Sequence, residues 1–227
     1  MTPACRIVVL ISGSGSNLQA IIDAVDAGHI RGEIISVISN RPGVKGLQRA
    51  AAADIPTVTL DHQQFGSRSA FDTALDEQLT QLAPDLIVLA GFMRILPASL
   101  VTRHQGKMLN IHPSLLPHHR GLHTHRRALE AGDTEHGASV HFVTPELDGG
   151  PVILQARIPV EHHHTPDSLA ADILKFEHRI YPLAVSYFCD GRLSLDKDRV
   201  RLDGQPLDQP LRFPDDISPD DLEPFPP

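Results

Sequence analysis

Apolar and polar positions along this chain change period in a regular way. Residues 6–11 (RIVVLI) form a short β-branched run, as a buried strand requires. After SGSGSN, the residues Leu18, Ile21, Ile22 and Val25 recur at helical spacing, and Ser16 or Asn17 stands where a helix cap belongs. The alternation continues with a strand at 34–39, a helix at 45–53 and a short strand at 57–60. A helix follows at 69–82, with Phe71, Leu75 and Leu79 on one stripe. The run DLIVL at 85–89 is the most apolar of the strands, which places it centrally with both faces buried. A strand at 108–112, a helix at 123–131 and strands at 138–143 and 152–160 come next. Thr165-Pro166-Asp167-Ser168 then starts a long helix, with a capping hydroxyl, a proline at the first position and an acid in the first turn. That helix runs to about residue 188, and Pro182 is expected to interrupt it. Alternation of this kind predicts an α/β fold, a mostly parallel sheet with helices on both faces.

Beyond residue 202 the pattern is lost. Val200 and Leu202 can close one last strand, but DGQPLDQP…SPDDLEPFPP is rich in Pro and Asp. The expected organisation is one domain over 1–202 and a mostly disordered acidic, Pro-rich tail over 203–227. No internal repeat is visible.

Composition narrows the function classes. The apolar fraction, 41%, is ordinary for a globular protein, and no apolar run approaches the ~20 residues of a membrane span. The segment at 6–11 reads as a core strand rather than as a secretory leader. Two cysteines, Cys5 and Cys189, lie far apart in sequence, offering neither a disulfide framework nor a metal-ligand pair, which fits a reducing cytoplasm. A formal net charge of −8 disfavours a nucleic acid as main partner, while leaving room for a small anion bound by local amides.

Five places carry candidate chemistry. The first is Gly13 to Asn17, a strand–Gly-rich turn–helix passage whose free N–H groups suit a phosphate. It is neither the dinucleotide fingerprint, because Leu18 stands where a third Gly would be, nor a Walker loop. A plain tight turn is the alternative. The second is MLNIHPSLLPHHR, residues 108–120. Asn110 and His112 sit two apart and so face one side of a strand that Pro113 ends. Carboxyl ends of strands in open parallel sheets are where ligands bind. The third is the apolar loop with Met93, Ile95 and Leu96, which either packs on the core or lines a pocket for a flat organic ligand. The fourth is Asp148 in the turn TPELDGG, either a turn former or a catalytic acid. The fifth is Glu177, a carboxylate within the apolar arc of the long helix. It needs a ligand amine or an ion-pair partner. His118, His119, His123 and His125 are near metal-site material, but no carboxylate or Cys sits at ligand spacing, so no metal is expected. The run His162 to His164 reads as solvated.

Six stretches, in order, carry a family resemblance: LISGSGSNLQAIIDA, LAGFMRIL, NIHPSLLP, GLHTHR, EHGASVHFVTPELDGGPVILQA and FEHRIYPL. They closely resemble the phosphoribosylglycinamide formyltransferases, from about residue 6 to 193. The resemblance implies a Rossmann-like sheet and formyl transfer from 10-formyltetrahydrofolate to the amine of glycinamide ribonucleotide in purine synthesis. It implies that Gly15, Ser16 and Asn17 bind the nucleotide's phosphate and that Glu177 holds its amine. Arg68, Met93, Arg94, Ile95 and Leu96 take folate-side roles, with Asn110 and the loop Thr144, Pro145, Glu146, Leu147 and Asp148 closing on the pterin. Asn110, His112 and Asp148 take the catalytic roles, with Asp148 favouring the imidazolium of His112. The implied chemistry needs no metal and no covalent enzyme intermediate, and the expected state is a cytoplasmic monomer or homodimer.

Departures from the family pattern lie at HHRG after NIHPSLLP, which leaves phosphate contacts there open, and at Leu174, where relatives can place a polar contact. The rivals are other formyl-folate enzymes, namely methionyl-tRNA formyltransferase or formyltetrahydrofolate hydrolase, and a non-catalytic nucleotide- or folate-binding module. The first two resemble the chain less along its length or usually carry a further domain. The module has no need of the Asn110–His112–Asp148 trio.

Overall fold

A computed structural model describes residues 3–225. The first half is a run of strand–helix units: β1 (Cys5–Ile11), α1 (Ser16–Asp26), β2 (Gly32–Ser39), α2 (Lys45–Ala52), β3 (Thr57–Thr59), α3 (Arg68–Leu82), β4 (Leu86–Leu89), α4 (Ala98–Arg103) and β5 (Met108–His112). Then come α5 (Thr124–Ala131), β6 (Glu135–Phe142), β7 (Val152–Pro159) and the long α6 (Pro166–Cys189). The chain closes with β8 (Leu193–Asp196), β9 (Arg199–Leu202), β10 (Gln205–Pro206), β11 (Leu211–Phe213) and α7 (Pro219–Leu222).

Among the described residues the main sheet has eight strands in the order β11-β7-β6-β5-β4-β1-β2-β3. From β3 to β5 neighbouring strands are parallel; β6 runs antiparallel to both β5 and β7, and β11 is parallel to β7. The chain reverses its direction of winding between β1 and β4, so their carboxyl ends flank a crevice. Side chains of one strand alternate between faces. Ile7, Val9 and Ile11 therefore pack with Leu18 and Ile21 of α1 and with Ile173 and Ile180 of α6. Val8 and Leu10 pack on the other side with Phe71, Leu75 and Leu79 of α3. The expected α/β architecture, mostly parallel with helices on both faces, is the one observed. Strand β4 is central and fully buried, as its composition predicts.

Two expectations are corrected and one element is new. Helix α6 is continuous through Pro182. A proline inside a helix costs about 3 kcal/mol. Here Ile180, Tyr181, Leu183, Ala184 and Val185 around it are all buried, and each large apolar group contributes about 1.5–3 kcal/mol, enough to hold the helix together. Residues 203–225 are not a loose tail. β10 completes a three-stranded sheet with β9 and β8, β11 adds to the edge of the main sheet, and Phe213, Ile217 and Phe225 are buried. Asp221 accepts hydrogen bonds from the Tyr187 hydroxyl at 3.1 Å and from Arg192 at 2.7 Å. Average composition hides this, because three apolar anchors at the right positions suffice. The short α4 was not expected either, since six residues show no readable period. No helix among the described residues is long and apolar enough to cross a membrane.

One buried phenol joins this frame to the ligand edge. The Tyr181 hydroxyl lies 2.9 Å from Leu89 O and 3.0 Å from Leu109 O, sharing its proton between two strand ends. Burial keeps it neutral, raising its pKa well above the usual phenol value. Tyr181→Phe leaves two buried carbonyls without this donor and is expected to cost about 1–3 kcal/mol. Urea denaturation measures it; an unchanged midpoint would show that the two carbonyls need no donor.

Candidate active site

The turn after β1 is shaped by close backbone approach. Gly15 is left-handed (φ 68°), and a Cβ there would lie 2.6 Å from Gly46 Cα. Gly46 N–H donates to Gly13 O at 3.0 Å, and Arg49 donates to Ser14 O at 3.0 Å, so α2 braces the turn. Gly15 itself is the N-cap of α1 and no side chain caps the helix, contrary to the expected Ser16 or Asn17 cap. The first N–H groups of an eleven-residue helix are thus left for an anion.

Asn17 turns away from the cap towards α6. Its Nδ2 donates to Glu177 Oε2 at 2.7 Å, while its Oδ1 is buried with no partner. Burial raises the pKa of Glu177, and the Asn17 hydrogen bond opposes this only in part. A carboxylate and an amide oxygen, both acceptors, are therefore held at one buried spot. An amine is the donor that this pair lacks.

At the end of β5 the structure brings Asn110, His112 and Asp148 together. His112 Nδ1 is 3.5 Å from Asp148 Oδ2, and His112 Nε2–H donates to the His119 carbonyl at 3.0 Å. The Asp148 carboxylate also accepts from Gly121 N–H at 2.8 Å. Asp148 has a left-handed backbone (φ 48°), tolerated by Asp, and the glycines after it are needed: a Cβ on Gly150 would sit 1.8 Å from Phe142 O.

Asn110 is oriented by a residue that sequence reasoning did not single out. His141 lies opposite Asn110 in the β5–β6 register, and Asn110 Nδ2 is 3.0 Å from His141 Nε2. His141 Nδ1 is 2.9 Å from the Phe142 carbonyl, which can only accept. Nδ1 therefore carries the proton and Nε2 accepts from Asn110. Burial lowers the His141 pKa to about 4, which keeps the ring neutral and this direction fixed. The available signal was a histidine set between the apolar Val140 and Phe142 in a buried strand.

A cleft beside this trio is lined by Leu89, Phe92, Arg94, Ile95, Leu96 and Val101 on one side and by residues 143–148 on the other. Of the residues expected there, Arg94, Ile95, Leu96, Asn110, Thr144, Pro145, Glu146, Leu147 and Asp148 line it. Arg68 and Met93 do not. Arg68 instead donates to Ile95 O at 2.6 Å and so braces the loop, and the Met93 side chain is 60% exposed. The Arg94 guanidinium stacks 4.4 Å above the Phe71 ring. Arg120, in the stretch where phosphate contacts were left open, pairs with Glu146.

A second unforeseen network holds the loop after β4. Met93 N–H donates to Ser12 Oγ at 2.8 Å, and the Ser12 hydroxyl donates to Asn40 Oδ1 at 2.5 Å. Ser12 and Asn40 are buried, and together they tie the ends of β1, β2 and β4. Among the described residues, no group of three or more His, Cys, Asp or Glu side chains is arranged to hold a metal ion.

Comparison with known proteins shows what the chain is similar to. The formyl transferase family pattern matches residues 5–185. Phosphoribosylglycinamide formyltransferase of Escherichia coli (strain K12) is 56% identical over 202 residues, covering 89% of this chain and 95% of that protein. The trifunctional purine biosynthetic protein adenosine-3 of Homo sapiens is 44% identical over 193 residues, covering 85% of this chain and 19% of that longer protein. Among solved structures, the phosphoribosylglycinamide formyltransferase of Coxiella burnetii in complex with CHES superposes with a TM-score of 0.88 at 50% identity, covering 93% of this chain and 100% of that one. Fold, site architecture and these likenesses agree, and the chain belongs to the formyl transferase family, among its phosphoribosylglycinamide formyltransferases.

Proposed function

We propose that this protein transfers the formyl group of 10-formyltetrahydrofolate to the amine of glycinamide ribonucleotide, giving formylglycinamide ribonucleotide and tetrahydrofolate in purine biosynthesis. The observation that carries the reading is the convergence at one sheet edge of an anion-ready helix start, a buried acceptor pair for an amine, and the Asn110–His112–Asp148 trio. The compartment consistent with this role is the cytoplasm, and the protein works as a monomer or homodimer.

The folate supplies the formyl group; the chain orients the reactants and stabilises charge. Ser16 and Asn17 N–H groups take the nucleotide phosphate, and Glu177 with Asn17 Oδ1 accepts the amine protons. Attack of the amine nitrogen on the formyl carbon sends the carbonyl electron pair to oxygen. The second N–H of Asn110 is free for that oxyanion, since the first is spent on His141. His112 contributes from Nδ1, because Nε2 is spent on His119 O. At 3.5 Å the Nδ1–Asp148 pairing is too long for a tight hydrogen bond, so an imidazolium proton there can be shared with the reacting atoms. Collapse breaks the bond from carbon to the folate nitrogen, which takes the proton lost by the amine, through His112 or water. Neither a metal nor an enzyme-bound formyl group enters these steps.

Formyl transfer by the purified protein, assayed with both substrates in EDTA, is expected to yield tetrahydrofolate only when the nucleotide is present. Folate turnover without nucleotide would instead mean hydrolysis. His112→Ala is expected to lower kcat by about 10²–10³-fold, the effect of removing one oxyanion donor, with nucleotide binding retained. Near-normal turnover would remove His112 from the mechanism.

Ser12→Ala removes the acceptor of Met93 N–H and should loosen the folate-side loop. The expected result is a KM for folate raised roughly tenfold, following the ~1–2 kcal/mol of a lost buried hydrogen bond, with the nucleotide KM unchanged. Equal effects on both KM values would count against a folate-side role.

Glu177→Gln tests the buried carboxylate through pH. The folded-state pKa of Glu177 lies above its unfolded value of 4.5, so the proton is bound more tightly in the folded protein. That contribution is fully present below the unfolded pKa and is lost as pH rises through the folded one. Glutamine stays neutral, so the variant's stability relative to the parent should increase as pH rises above 4.5 and through the raised folded-state pKa. The nucleotide KM should rise at the same time. A pH-independent difference in melting temperature would show that burial does not strain this carboxylate.

A further inference from the structure

Cys5 and Cys189, distant in sequence, meet at the sheet edge opposite the active site. Cys5 opens β1 and Cys189 ends α6. Cys5 pairs with Gly32 in the β1–β2 register. Cys189 Sγ lies only 3.3 Å from where a Cβ on Gly32 would stand, and Cys5 O lies 3.0 Å from the same point. The helix end thus lays its sulfur over the strand pair that contains Cys5, and glycine at 32 provides the room. The two cysteines are neighbours across Gly32, close enough for each to shift the titration of the other. Their distance in sequence gives no sign of this proximity in the fold.

We propose that Cys5 and Cys189 are a redox-active dithiol, which a peroxide converts into an intramolecular disulfide clasping the start of β1 to the end of α6. Both cysteines are free thiols here, Cys5 buried and Cys189 half-buried. The neighbouring Cys189 lowers the Cys5 pKa and makes Cys5 the better nucleophile, while Cys5 and burial push Cys189 up. Cys5 sulfur attacks one peroxide oxygen; the S–O bond forms, the O–O bond breaks and one water leaves. Cys189 sulfur then attacks the Cys5 sulfenic acid; the S–S bond forms, the S–O bond breaks and a second water leaves. In sum, two thiols are oxidised by two electrons and one hydrogen peroxide is reduced to two waters. The catalytic groups sit at the carboxyl ends of the strands, so the clasp leaves them in place.

Hydrogen peroxide added to the reduced full-length protein tests this. The expected product is a monomer lighter by two hydrogens, with no thiol titratable in denaturant, a Cys5–Cys189 linked peptide in a non-reducing digest, and a raised melting temperature that dithiothreitol reverses. Cys189→Ser should stop at a Cys5 sulfenic acid that dimedone traps, with no rise in melting temperature. Two thiols still titratable after peroxide, a disulfide only between chains, or a lowered melting temperature on closure would each overturn the proposal. The parent protein alone decides these outcomes, whether or not the variant folds.

Discussion

Strands buried on both faces can carry chemistry only at their ends. β1 from Ile7 onward and all of β4 are apolar and buried, with α1 and α6 covering one face and α3 and α4 the other. Every functional group the fold offers there is therefore pushed to the carboxyl edge, where the chain has reversed its winding and left a crevice. Tyr181 makes the dependence explicit. It is a core residue of α6, yet its hydroxyl reaches the carbonyls of Leu89 and Leu109, immediately before the loop and the asparagine that line the site. Packing of the core and placement of the site are one problem in this molecule.

Burial then sets the charge state of the groups at that edge. It keeps His141 neutral, with its pKa near about 4, so the ring can serve as a fixed acceptor for Asn110. It raises Glu177, so a carboxyl and an amide oxygen are presented together with little water to satisfy them. Preorganised dipoles of this kind cost stability in the free protein and act at the moment charge develops in the substrate. Hydrogen bonds between loops do the remaining work: Ser12 holds Met93, Arg68 holds Ile95, and Asp148 holds Gly121.

Legibility in the sequence followed local character. The strand–helix alternation, the strand end at Asn110 and His112, and the Thr165 start of α6 all rest on residues close in sequence, and the structure has them, down to a reciprocal capping box at Thr165. Asp148 and Glu177 stood out because a lone acid in a glycine-rich turn or on an apolar helix face is costly without a reason. Their partners did not stand out. His141 matters because an antiparallel register sets it against Asn110, and Ser12 and Asn40 matter because β1 and β2 end side by side.

The sequence by itself determined the α/β class, the order of the elements through α6 apart from α4, the family and the residues at the strand ends. Each of these is written in periodicity, in turn chemistry or in motifs of neighbouring residues. The tertiary structure alone decided which groups meet: His141 with Asn110, Asn17 with Glu177 rather than with its own helix end, and Cys5 with Cys189. It also decided that residues 203–225 pack and that Pro182 stays within a helix. The physical reason is common to all of them. Long-range burial and register outweigh local propensity wherever a few side chains find partners that the linear chain keeps far apart.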